Sequence, residues 1–206
     1  SLKLDLSFFG ENHPSVASGY YNIGYVYFAQ GDYSKALEYF EEVLKIRLSV
    51  YGENHSRVAS VYNDIGEIYS VQGDDFKALD YFKKSLKIVL SVYGENHSQV
   101  SSIYDHIGEV YFAQKDYSKA LYYFEESLKI RLSLFGENHP EVALSYYSIG
   151  SLYIIQGDKS KALNYYEKSL KIRLSVYGEN HPLTKEIMDL INVANSKVLQ
   201  SPETTK

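Results

Sequence analysis

Residues 10–51 read GENHPSVASGYYNIGYVYFAQGDYSKALEYFEEVLKIRLSVY. The opening Gly-Glu-Asn-His returns at Gly52, Gly94, Gly136 and Gly178, 42 residues apart each time. Four full units follow, 10–51, 52–93, 94–135 and 136–177, and 20 of their 42 columns are identical in all four. Chance does not produce that agreement, and a fixed period of this length marks a stack of repeated supersecondary units. Residues 1–9 match the last nine of a unit, such as 85–93. The chain is therefore expected to start inside an element and to be cut from a longer array.

Each unit reads as two helices. The first is expected from about Pro14 to Gln30, with Pro14, Pro140 and Pro182 in the first turn, where a missing N–H costs nothing. Val16, Ala17, Tyr20, Ile23, Gly24 and Tyr27 recur at helical spacing as one apolar stripe. Gly31-Asp32 makes the turn, and Asp32 is placed to cap the second helix, from about Tyr33 to Val50. The apolar residues of that helix cover more than half of its circumference, so it must touch neighbours on two sides, as stacked repeats require. Gly24, Gly66, Gly108 and Gly150 fall in mid-helix, where glycine costs about 1 kcal/mol against alanine. Their recurrence points to close helix approach, with Ala36, Ala78, Ala120 and Ala162 as the small partners expected opposite.

Tyr20-x-x-Ile23-Gly24-x-x-Tyr27 followed by Ala36-x-x-x-Phe40 resembles the tetratricopeptide pattern, with tyrosine in place of its tryptophan and isoleucine in place of its leucine. The closing proline is replaced by Leu48, Leu90, Leu132 and Leu174. The loop Tyr51-Gly52-Glu53-Asn54-His55 and the long unit are similar to the tetratricopeptide repeats of kinesin light chains. The resemblance spans about residues 1–199. It implies an all-α, right-handed superhelical solenoid of tandem hairpins that binds protein segments in a concave groove lined by first helices. On this basis residues 1–199 form a single repeat array: 1–9 end a preceding repeat, four repeats follow, 178–199 are a C-terminal capping helix, and 200–206 are a tail.

Other chemistries find little footing. Cysteine is absent, so there is neither a disulfide framework nor a thiolate metal site. Histidines 13, 55, 97, 139 and 181 recur once per repeat, but helices of adjacent repeats lie about 8–10 Å apart. A zinc ion needs its nitrogens about 2 Å from one point. The loop histidines, with their asparagines, are therefore read as caps, and His106, outside the series, as a lone exposed side chain. Asn54-His55-Ser56 and Asn96-His97-Ser98 match a glycosylation sequon, with no leader sequence to give it weight. Arg47, Arg131 and Arg173 interrupt the apolar arc of second helices, with Val89 in the second unit. They are read as snorkelling stems, with an ion pair to a loop glutamate such as Glu53 as the alternative. No phosphate loop or nucleophile elbow occurs, so the chain is expected to be no enzyme and to need no cofactor. The net charge of −5 opposes nucleic-acid binding. No apolar run is long enough to span a membrane, and the expected location is the cytoplasm.

The informative residues vary between units, opposite the recurring stripe of the first helix. The resemblance puts this side in the groove. The candidate ligand-binding residues are Tyr21, Tyr25 and Phe28 in the first unit and Asn63, Asp64 and Glu67 in the second. Asp105, Glu109 and Phe112 stand in the third, and Tyr147 and Ile154 in the fourth. These helices carry no lysine or arginine on that face, so the expected partner is a protein or peptide segment with basic or aromatic side chains. A structural spacer or self-assembling array without a dedicated ligand is the alternative. The apolar Leu2, Leu4, Leu6, Phe8 and Phe9 predict a monomer that associates through its N-terminal end at high concentration.

Overall fold

The computed structural model describes Gly10 and residues 12–196. The expectation placed on Leu2, Leu4, Leu6, Phe8 and Phe9 lies outside the described residues, as do Lys197 and Val198 of the C-terminal segment. Nine helices are found among the described residues, and no strand. They are α1 (Pro14–Ala29), α2 (Tyr33–Tyr51), α3 (Ser56–Val71), α4 (Asp75–Tyr93), α5 (Ser98–Ala113), α6 (Tyr117–Phe135), α7 (Pro140–Gln156), α8 (Lys159–Tyr177) and α9 (Pro182–Ser196). The chain divides into two compact units, one ending at Val110 within α5 and one running from Tyr111.

In the first unit α1 packs on α2, α3 on α4, and α3 also on α2. One cluster joins Val16, Ala17, Ala36, Phe40, Val43 and Ile46 of the first hairpin to Val61, Ile65 and Ile68 of α3. Val61 and Ile68 are fully buried, although the recurring stripe omits their columns. They face the preceding hairpin, so their burial comes from repeat-to-repeat packing. In the second unit α7 packs on α8 and on α6, and α9 on α8. Phe124, Ile149 and Leu152 repeat the same construction there.

The mid-helix glycines do mark close approach, but the partner differs from the expected alanines. A Cβ on Gly66 would lie 2.7 Å from the Phe82 ring, and one on Gly150 2.7 Å from the Tyr166 ring. The edge of an aromatic ring of the second helix meets the glycine; the alanines are buried one turn earlier, with the Ala162 carbonyl 3.3 Å from a Cβ on Gly150.

The helix ends follow the repeat. Asp32, Asp74, Asp116 and Asp158 each accept the backbone N–H three residues on. Each also pairs with the lysine there, at 2.9 Å for Lys35 and 2.6 Å for Lys119. The same ammonium sits over a tyrosine of the first helix, as Lys35 does over Tyr27 at 4.9 Å. The turn before these caps takes a left-handed residue: Gly31, Gly73 and Gly157, but Lys115 (φ 62°) in the third repeat. The loop histidines cap first helices: the Nδ1 of His55, His97, His139 and His181 accepts the N–H two residues on. Their rings stack on the aromatic residue that ends the preceding helix, at 4.1 Å for Tyr93 and His97. The capping atom is the histidine Nδ1. In α9, Thr184, Ile187 and Ala194 are buried, whereas Leu183 is 42% exposed.

Candidate functional site

In the first unit the varied residues of α1, α3 and α5 form a connected polar network. Tyr21 rests on the Phe40 ring at 5.5 Å, with the Arg47 guanidinium 5.1 Å from its own centroid. Its hydroxyl hydrogen-bonds the Asp64 carboxyl of α3. Asp64 is largely out of water, and its Oδ2 has no hydrogen-bond partner. Burial pushes this carboxyl up to about 7, with Glu67 adding to the rise and the Tyr21 hydroxyl and Arg47 opposing it. The Tyr21 hydroxyl is itself raised, by burial first and then by Asp64.

Asn63 donates from Nδ2 to Glu67 Oε1 at 2.8 Å, and its Oδ1 lies 3.0 Å from His106 Nδ1. An amide oxygen only accepts, so Nδ1 of His106 carries the proton. The other ring nitrogen is 3.4 Å from Glu67 Oε1, and the ring packs 5.2 Å from Phe82. His106 is thus a half-buried member of the network and not the solvated side chain expected. Beside it, Phe28, Val71 and Phe82 with Glu67, Ser70, His106 and Glu109 line a cavity of about 210 Å³. Crowding by neighbouring atoms, then the carboxylates of Asp105 and Glu67, holds the Glu109 carboxyl above its ordinary value. Tyr25 stands 59% exposed, its ring 6.3 Å from that of Phe28. The structure therefore brings Tyr21, Asn63, Asp64, Glu67, Asp105 and Glu109 into one charged neighbourhood, with Phe28 at its edge.

The second unit carries the remaining candidates and has a different chemistry. Phe112 meets Tyr117 edge-on at 5.9 Å. Tyr147 lies under the Arg173 guanidinium at 4.9 Å and donates its hydroxyl to Glu186 Oε1 at 3.0 Å. Burial, then that bond to Glu186, raises the Tyr147 hydroxyl. Ile154 is 37% exposed. Phe112 and Ile154 belong to neither of these hydrogen-bonded groups.

The arginine column departs from the expected snorkelling. Arg131 and Arg173 are each 4% exposed. Arg131 pairs with Glu141 at 2.9 Å and donates to Ser145 Oγ at 2.8 Å. Arg173 donates to the Leu183 carbonyl at 2.6 Å and lies 3.5 Å from Glu186. Arg47 donates to the Arg57 carbonyl at 2.7 Å and to Ser60 Oγ at 3.0 Å. Each guanidinium crosses to the next first helix, where donors are needed by carbonyls and hydroxyls; the acids involved lie on that helix, and Glu53 of the loop is not one of them. The first helices carry no lysine or arginine on the varied face, yet Arg47 and Arg173 reach Tyr21 and Tyr147 from behind. The sequence signal for this was the position itself, a charge set inside an apolar arc.

Helical hairpins of this length, closed on a mid-helix glycine and repeated in register, define a class of interaction repeats. The sequence matches the tetratricopeptide repeat family over residues 1–49, 15–89, 57–133 and 99–175, and the chain belongs to that family. Its members are in general non-catalytic scaffolds for protein–protein interaction. Among solved structures, the chain is similar to BtubC (BKLC) from P. vanneervenii, with 18% identity and a TM-score of 0.75 over 99% of this chain and 89% of that one. It is also similar to a putative kinesin light chain of Podosopora anserina with nearly identical repeats, with 16% identity and a TM-score of 0.70 over 92% and 99%. The apo form of RapI gives 18% identity and a TM-score of 0.74 over 89% of this chain and 64% of that one. At these identities the likeness concerns the fold. None of the curated proteins compared matches the sequence. No helix among the described residues is long and apolar enough to cross a membrane.

Proposed function

We propose that this chain is a protein-interaction scaffold whose first-helix face, in the unit ending at Val110, receives a basic or aromatic side chain of a partner peptide or helix. One observation carries the reading: a cavity of about 210 Å³ with Phe28, Val71 and Phe82 as apolar walls and Glu67 and Glu109 at its rim. Apolar walls accept the stem of a long side chain or a ring, and the carboxylates meet its charge or its positive edge. Exposed Tyr25 adds contact area with few rotatable bonds. Fluorescence anisotropy with labelled Lys/Arg-Tyr peptides tests this, against Asp/Glu-Tyr peptides of equal length. Basic peptides should bind, lose affinity as salt rises, and bind several-fold more weakly to Glu67→Gln or Glu109→Gln. Preference for the acidic set would overturn the reading.

A further inference from the structure

The arginine column has one vacancy, and it is a shaped one. Val89 stands one 42-residue repeat after Arg47. Arg47 has three neighbours that define its guanidinium site: the Arg57 carbonyl, Ser60 Oγ and the Tyr21 ring. Moved on by one repeat, these positions are Gln99, Ser102 and Asn63. All three, together with Val89, line a cavity of about 110 Å³. Valine stops short by a whole guanidinium, and the space an arginine head fills elsewhere is left open.

The wall of that cavity also carries a carboxyl with one oxygen unmet. Asp64 lines it, and the Oδ2 of Asp64 is buried without a hydrogen-bond partner. Arg47 is close enough to act on Asp64 electrostatically, but it donates to the Arg57 carbonyl and to Ser60 Oγ. A buried carboxylate oxygen without a donor is costly. A planar fork of N–H donors is the group that satisfies carboxylate, carbonyl and hydroxyl together, which a compact ammonium does less well.

We propose that the Val89 cavity is a socket for the guanidinium of a partner's arginine, held by Asp64, the Gln99 carbonyl and Ser102. The socket completes from outside the column that Arg47, Arg131 and Arg173 complete from within. This deepens the reading of the first-helix face as a peptide-binding one, and rests on it for the choice of a protein partner. It adds a residue-level demand: arginine over lysine at one position of the bound segment.

The test uses N-acetyl-arginine methylamide and its lysine counterpart, followed by amide chemical shifts of the labelled chain. The arginine probe should give saturable shifts at residues 60–64, 85–89 and 99–103, with the lysine probe weaker by about tenfold. Val89→Arg should abolish these shifts by filling the socket from within, and should raise the melting temperature. Asp64→Asn, which keeps the shape and removes the charge, should weaken the arginine probe by about tenfold, and it decides the matter where Val89→Arg misfolds. Equal response to the two probes, or undiminished binding by either variant, would overturn the socket. If the arginine probe leaves these residues unmoved while basic peptides still bind in a Glu67-dependent way, the socket is wrong and the face reading stands. If neither binds, both are wrong.

Discussion

The first-helix faces of the two units stand on the same frame and present opposite chemistry. In the unit ending at Val110, Asp64, Glu67, Asp105 and Glu109 crowd one another, and burial with mutual repulsion keeps Asp64 and Glu109 above the usual carboxylate range. In the unit from Tyr111, the acid beside Tyr147 is Glu186, already held by the tyrosine hydroxyl and Arg173. The frame residues barely differ: glycine under an aromatic ring, aspartate and histidine caps, and a serine of the second helix bonded to the first, Ser85 to Ala59 and Ser169 to Ala143. Repetition fixed the packing, and the residues it left free carry the chemistry.

That contrast can be broken at the frame first. Gly66→Ala and Gly150→Ala should each destabilise by about 1–3 kcal/mol, because the buried ring 2.7 Å from the new Cβ must shift. Urea midpoints of the two variants should fall together. A loss in one unit only would mean that the frames are not equivalent.

The faces should respond differently. Asp64 has its folded pKa near 7, above the ordinary carboxylate value. A carboxyl raised in the folded state favours folding while protonated. That contribution is full below about pH 4 and is lost as pH rises through 7, where the ionised group is held out of water beside Glu67, with the Tyr21 hydroxyl and Arg47 offsetting part of the cost. Asp64→Asn should therefore stabilise by on the order of 1–2 kcal/mol at pH 8 and by little at pH 4. Glu186→Gln in the other unit should bring no such gain. Asp64→Asn that destabilises at pH 8 would show the carboxylate to be satisfied after all.

The smallest effect is at the third turn. Lys115 holds the left-handed conformation that Gly31, Gly73 and Gly157 hold elsewhere. Lys115→Gly should gain about 0.5–1 kcal/mol in thermal denaturation. A loss would mean that the lysine side chain earns its place by a contact.

Much of the frame was legible in the sequence because its causes are local. The 42-residue period, the helix limits to within a residue, and the aspartate and histidine caps all follow from nearby residues. What was not legible depends on the next repeat. Nothing near Arg47 in the chain shows that it will meet the Arg57 carbonyl, and nothing near Asn63 shows His106. Val61 and Ile68 fall outside the recurring stripe because their partners lie on the preceding hairpin. The glycine partner was misassigned to Ala36 because a ring edge leaves no signature of small size. The candidate face was found as the set of varying columns, but its partial burial was not, since variation alone resembles a solvated surface.

The most direct measurement maps a bound peptide onto the two faces. An isotope-labelled sample titrated with a Lys/Arg-Tyr peptide should show saturable shifts at Tyr25, Phe28, Glu67, Val71, His106 and Glu109, and none of that size at Tyr147 and Ile154. Equal shifts on both faces, or shifts confined to the face of the unit from Tyr111, would contradict the assignment of binding to the acidic face.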